Sequence, residues 1–336
     1  MRPAGSRGIV LLLCLGVIAQ AACAQPERSA QPTSETSEPP ALSNQALSPL
    51  PVRLDLDPKK VDLGQKLFNE PRLSHDNSVS CASCHTLATG GTDRHVRSVG
   101  IGGQVGARNA PTVFNSGFNF RQFWDGRAET LEAQAAGPIH NPVEMGSNWP
   151  EVISKLRRSP VYMASFSAVY ADGITSNNVA DAIATYERSL YTPNSRFDQF
   201  LRGDEGILTE DERSGYRLFQ SYGCVSCHQG INVGGNMYQR FGVMAEYLPG
   251  FVPAADPGRF AVTGDERDRQ VFKVPALRNV AVTAPYFHDG SAPTLAMAVA
   301  IMGRYQLGRS LSGDEVDRIV AFLNTLTGEY NGQPLT

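Results

Sequence analysis

Cys81-Ala82-Ser83-Cys84-His85 decides how this chain is read, because the same pattern returns as Cys224-Val225-Ser226-Cys227-His228. C-x-x-C-H is the attachment signature of c-type haem. Its two thiols add to the porphyrin vinyl groups, and the histidine that follows faces the iron as proximal ligand. A bare C-x-x-C would also fit a redox pair or half of a zinc site. A redox pair needs no histidine after it, and a zinc site would not repeat this five-residue pattern. The reading is therefore two covalently attached c-type haems, bound through Cys81, Cys84, Cys224 and Cys227. His85 and His228 are the two proximal iron ligands.

The N-terminus suits that cofactor. Arg2 and Arg7 precede an apolar run from Ile9 to Ala19, and Ala22-Cys23-Ala24 resembles a cleavage site, so residues 1–24 read as a signal peptide. The run is about half of the ~20 residues that a membrane-spanning helix requires. A lipidated Cys23 is a minor alternative, because Gln20 fits that cleavage pattern poorly. Cleavage after Ala24 leaves four cysteines, all inside the two motifs, and none for a disulfide. Export to an oxidising compartment, most simply a bacterial periplasm, fits this tally.

Residues 25–50 hold five Pro, five Ser and no aromatic residue, which reads as a disordered leader. The rest is long enough for two domains of ordinary size. Loss of Arg2 and Arg7 takes the net charge from −3 to −5. There is no basic run, so nucleic acid is not expected as a partner.

Helix signals dominate the remainder. Asp57-Pro58 predicts an N-cap and a helix through Phe68. Thr209/Glu212 and Ser312/Glu315 form capping-box pairs, and helical patterns cover Trp149 to Leu156, Val161 to Tyr170 and Asn178 to Leu190. Long Gly-, Pro- and Asn-rich loops lie between them, as expected of chain that wraps a cofactor. Gly64-Gln65-Lys66-Leu67-Phe68 precedes the first haem motif, and Gly215-Tyr216-Arg217-Leu218-Phe219 precedes the second. This repeat predicts a mainly α fold of two cytochrome-c-like haem domains with long loops, divided near Arg202 to Gly206.

The two halves differ in what could close the second face of each iron. Downstream of the second motif, Met302 competes with Met297, Met244 and Met237 as a thioether ligand, a ligand that raises the reduction potential. The bland alternative for any of them is a gap-filling core methionine. The first half has only Met145 and Met163, neither in a comparable setting, which leaves His95, His140 or no sixth ligand. A haem without one is open for chemistry, so the asymmetry favours an enzyme over a two-haem wire.

Longer motifs carry a resemblance. Arg108-Asn109-Ala110-Pro111-Thr112, Gln122-Phe123-Trp124-Asp125-Gly126-Arg127 and Pro142-Val143-Glu144-Met145 resemble the bacterial dihaem cytochrome c peroxidase family. So do Val274-Pro275-Ala276-Leu277-Arg278-Asn279-Val280 and Ala284-Pro285-Tyr286-Phe287-His288-Asp289-Gly290, running on to Gln306-Leu307-Gly308. The similarity extends from about Pro51 to about Gly328. The related methylamine-utilisation enzymes, which oxidise a partner protein's tryptophans, share much of the pattern.

The resemblance implies a peroxidatic haem domain over residues 51–203 and an electron-transfer haem domain over 204–336, with the haems near a shared interface. It makes Met302 the sixth ligand of the C-terminal haem, where the methylamine-utilisation enzymes have a tyrosine. Trp124 matches the tryptophan lying between the haems. Glu144 and Gln134 match the distal pocket of the N-terminal haem. Asn109, Thr283 and Pro285 match a calcium site, and His288 a loop near the haem propionates. At the position of the family's distal histidine this chain has Ile101, which cannot ligate iron, so the N-terminal haem is expected open when both irons are ferric. The implied function is periplasmic reduction of hydrogen peroxide with electrons from a small donor protein, with no membrane span, and with dimers common in the family. The rivals are oxidation of a partner protein and plain electron carriage.

Overall fold

The structure is a computed structural model that describes residues 46–247 and 256–336. The expected signal peptide and most of the expected leader lie outside the described residues. The end of that leader needs correcting. Leu47 and Leu50 are each only 1% exposed. The Ala46 carbonyl accepts from the Gly230 amide at 2.7 Å, and the Leu50 amide donates to Asp198 at 3.0 Å. Two leucines in a Pro/Ser-rich stretch are too few to predict a core, yet a pre-built apolar shell can receive them.

Helices carry the chain. They are α1 (Pro58–Phe68), α2 (Cys81–Cys84), α3 (Leu131–His140), α4 (Trp149–Arg157), α5 (Pro160–Ser167), α6 (Ser176–Ser189), α7 (Arg196–Leu201), α8 (Glu210–Ser221), α9 (Phe260–Thr263), α10 (Leu295–Ile301) and α11 (Gly313–Asn324). Strands β1 (Tyr238–Arg240) and β2 (Val271–Lys273) pair antiparallel, as do β3 (Glu329–Tyr330) and β4 (Gln333–Pro334). Among the described residues no helix is long and apolar enough to cross a membrane.

The capping signals act where the sequence puts them. Asp57 accepts from Lys59 N at the start of α1, and Thr209 and Ser312 open α8 and α11 with reciprocal boxes to Glu212 and Glu315. Helices α3 and α10 escape the periodicity argument. One carries Pro138 inside it, and the other is apolar nearly all round.

The repeated Gly-x-basic-Leu-Phe motif has a packing cause. α1 lies on α6 so closely that a Cβ on Gly64 would stand 1.9 Å from the Ala182 carbonyl oxygen. α8 lies on α11 in the same way, with a Cβ on Gly215 meeting the Arg318 carbonyl oxygen at 1.8 Å. Each glycine lets two backbones touch, and the following Leu-Phe turns inward. Leu67 and Phe68 are buried, as is Phe219, which packs on Phe322. Alanine at either glycine gains ~1 kcal/mol of helix propensity. It loses more by pushing a backbone carbonyl that cannot yield, a kind of overpacking that costs ~1–3 kcal/mol. Gly64→Ala and Gly215→Ala are therefore expected to lower the urea midpoint. An unchanged or raised midpoint would remove the close-crossing account.

Candidate haem-binding and catalytic site

The first C-x-x-C is a single helical turn, α2, with the Ser80 amide donating to the Ser83 hydroxyl at 3.0 Å. One turn brings Cys81 and Cys84 to the same side and leaves His85 at the helix end, its amide donating to the Cys81 carbonyl at 3.0 Å. His85 is half-buried, and desolvation of its ring holds the pKa below the usual imidazole value. Nδ1 lies 3.3 Å from the Gly91 carbonyl. A neutral imidazole donating there keeps Nε2 as a lone-pair ligand. The second motif closes the same way, with the His228 amide donating to the Cys224 carbonyl at 3.0 Å. Burial pushes His228 down to about 4, opposed by the backbone carbonyls of Val233 and Pro275 beside the ring.

This chemistry fits haem. Four free thiols stand half-buried in two pairs, each beside a neutral, inward-held imidazole. Burial pushes Cys81 up to about 12 and Cys224 up to about 11, so both rest as thiols rather than metal-ready thiolates. Among the described residues no cluster of three His, Cys, Asp or Glu side chains could hold a bare ion.

Beyond the motifs, the chain repeats itself a second time. Phe123-Trp124-Asp125-Gly126 and Phe287-His288-Asp289-Gly290 have the same backbone, with positive φ at Phe123 (69°), Gly126 (66°), Phe287 (72°) and Gly290 (68°). Each is closed by one bridge, Gln122 to Ala128 and Tyr286 to Ala292, and leads to a threonine N-cap, Thr130 for α3 and Thr294 for α10. Each turn accepts a hydrogen bond from a backbone amide in the other half of the chain. The Asn109 amide donates to the His288 carbonyl at 2.8 Å, and the Lys273 amide donates to the Trp124 carbonyl at 2.7 Å. Trp124 and His288 meet edge to face at 6.2 Å, and the Trp124 Nε1–H donates to the Asn109 carbonyl at 3.0 Å. Phe272 stacks on His288 at 4.2 Å. Counted from the two N-caps, Met302 corresponds to Pro138.

Met302 is half-buried at the junction of α10 with a π-helical turn, Met302–Gln306. Such turns widen a helix at functional positions. Met244 and Met297 are exposed. Exposure therefore distinguishes Met302 from Met244 and Met297, which spacing alone leaves level, but not from Met237. Met237 is half-buried on the segment entering β1.

Glu144 is half-buried, and desolvation raises its carboxyl pKa although Asn141 and Arg127 oppose this. The Asn141 side-chain amide donates to it at 2.7 Å. Ile101 lies directly over this turn. Its amide donates to the Glu144 carbonyl at 2.8 Å, and its side chain packs beside Gly146. Gly100 is needed there, because a Cβ would stand 2.1 Å from the Val143 carbonyl oxygen. Gln134 is half-buried on α3. His95 and His140 are both exposed; the first lies by Asp93 and the second against Trp149. Neither ring is turned into the interior in this conformation.

Asn109 is buried, but its side-chain amide donates to the His95 carbonyl at 2.8 Å, and Thr283 lies against Gly90. Three groups escaped the sequence reading. Arg127 sits over the Phe123 ring at 3.5 Å and pairs with Asp125 at 2.9 Å. Glu187 on α6 is 7% exposed near Cys81, and burial pushes it up to about 8. Lys273 is equally buried. Nothing in the local sequence marks Glu187 or Lys273, since burial is a tertiary property.

A mainly helical chain with two inward-facing C-x-x-C-H turns and an internally repeated linking segment defines a c-type dihaem protein. A family model described as di-haem cytochrome c peroxidase matches residues 58–206. The cytochrome c551 peroxidase of Nitrosomonas europaea is 50% identical over 289 residues, covering 85% of each chain. The cytochrome c peroxidase of Escherichia coli K12 is 50% identical over 292 residues, and there the match spans 87% of this chain but 63% of the relative. The methylamine utilization protein MauG of Methylorubrum extorquens is 34% identical, covering 84% of this chain and 82% of that one. A solved MauG-like protein associated with microbial copper homeostasis superposes with a TM-score of 0.73 at 30% identity, covering 84% and 93% of the two chains. The chain belongs to the di-haem cytochrome c peroxidase family.

Proposed function

We propose that this chain reduces hydrogen peroxide to water at the haem held by Cys81, Cys84 and His85. Electrons would enter at the haem held by Cys224, Cys227, His228 and Met302. When bound, the first haem would supply the iron centre for O–O reduction and the second the electrons, with Trp124 the residue that would relay them. One peroxide takes up two electrons and two protons to give two waters. Glu144 is placed to move a proton, accepting it from one peroxide oxygen and returning it to the other. A carboxyl with a raised pKa suits both halves of that transfer. Gln134 contributes a hydrogen-bonding dipole toward the developing charge.

The observation that carries this reading is the half-buried Glu144 carboxyl, its pKa raised by desolvation, on the turn that Ile101 packs against, with both spare histidines outside. The higher identity to the peroxidases than to MauG supports peroxide over a partner protein as substrate. A periplasmic site, a small electron-donor protein, homodimerisation, the division at residues 203/204, and a calcium ion among oxygens around Asn109, Thr283 and Pro285 belong to the same proposal.

Electron paramagnetic resonance of the fully ferric protein tests it. One high-spin and one low-spin signal are expected, with the high-spin signal lost on adding peroxide. Two low-spin signals that do not change with peroxide, before or after partial reduction, would remove the assignment.

A further inference from the structure

Lys273 ends β2 as a buried cation without a counter-ion. It is 7% exposed, and burial alone acts on it, with no charged neighbour among the described residues offsetting the loss of water. The other buried cations differ. Arg108 pairs with Asp125 and Asp256, and Arg278 pairs with Asp198. A buried ammonium needs an anion or gives up its proton.

The surroundings of Lys273 say where that anion would come from. Two residues on, the Pro275 carbonyl oxygen closes on His228. A Cβ on Gly234 would meet that oxygen at 2.2 Å and His228 Nδ1 at 3.2 Å. Across the ladder Tyr238 pairs with Lys273, and the next residue, Gln239, reaches to 4.0 Å from Cys227 Sγ. The strand pair thus runs along the seat of the second haem, with Gln239 and Phe272 on the face toward Cys227, and with Lys273 beside Tyr238 on the other, at the ladder's end. In the first half the place of Lys273, two residues before the matching proline, falls to the uncharged Asn109. A haem brings two carboxylates, its propionates, into any seat it occupies.

We infer that Lys273 is the counter-ion of a propionate of the haem held by His228, a positioning residue that raises that haem's reduction potential. The inference rests on the dihaem reading. A fixed positive charge favours the reduced iron, which carries one charge fewer, over the ferric form. The charge would therefore act on only one of the two haems.

The test compares full-length wild type, Lys273→Met and Lys273→Arg. Pyridine haemochrome first counts haems, and a wild type with fewer than two would refute the dihaem reading itself. Redox titration then follows each haem spectroscopically. In Lys273→Met the potential of the His228 haem is expected to fall by a tenfold change in its equilibrium, about 59 mV for one electron. The other haem should be unmoved, and Lys273→Arg should stay near wild type. Loss of the second haem from Lys273→Met alone, with Lys273→Arg loaded, would equally support a required charge. Unmoved potentials in a loaded Lys273→Met, or loss of haem from both variants, would overturn the inference.

Discussion

Replacing Glu144 with glutamine is expected to lower peroxidase turnover by ~10² to 10⁴, the usual contribution of a positioned acid–base group. Both haems should remain attached. Glutamine preserves the size of the side chain and its hydrogen bond with Asn141, but it cannot take up and return a proton. The wild-type pH profile carries a second signature. Burial raises the Glu144 pKa, so the carboxylate that accepts the first proton is lost as pH falls through that raised value. Turnover should fall with it, at a higher pH than for a solvated glutamate. In Glu144→Gln that acid limb should disappear. Full turnover in a variant of normal haem content would mean that another group moves the proton.

The second large effect concerns stability. Arg278 and Asp198 are both 0% exposed and pair at 2.9 Å. Arg278 also donates to the Ile231 carbonyl at 2.6 Å and the Ser48 carbonyl at 3.0 Å, while Asp198 accepts from the Leu50 amide. The pair ties the entering segment, the loop after the second haem motif and α7 together. Arg278→Met leaves a buried carboxylate with two backbone donors and no cation, which costs ~3–5 kcal/mol. Chemical denaturation of the holoprotein should show that loss. Adding Asp198→Leu should return part of it, because the double change removes the stranded charge as well. A single variant as stable as wild type would show that the pair is not a structural anchor.

Sequence and structure divide the remaining argument unevenly. Both haem attachments, the helix starts at Asp57, Thr209 and Ser312, and the Gly64/Gly215 repeat were legible because each depends on residues within a turn or two of one another. Spacing alone decides whether two thiols and an imidazole share one side of a helix end. Met302 could not be separated from Met297 and Met244 that way, since exposure is not written in local order. The Phe123 and Phe287 turns share the letters Phe-x-Asp-Gly-x-Ala-x-Thr-Leu, so that repeat is written in the sequence as well. Only the structure sets Trp124 of one copy edge to face with His288 of the other.

By itself the sequence determined that this protein carries two c-type haems in a helical chain, because covalent attachment needs a fixed local pattern. Only the tertiary structure decided which groups lose water around them: Glu144 on the turn against Ile101, Arg278 with Asp198, and Lys273 alone. Desolvation depends on chain brought together from far apart, and it is desolvation that turns ordinary carboxylates and amines into groups able to hold a proton, a fold or a potential.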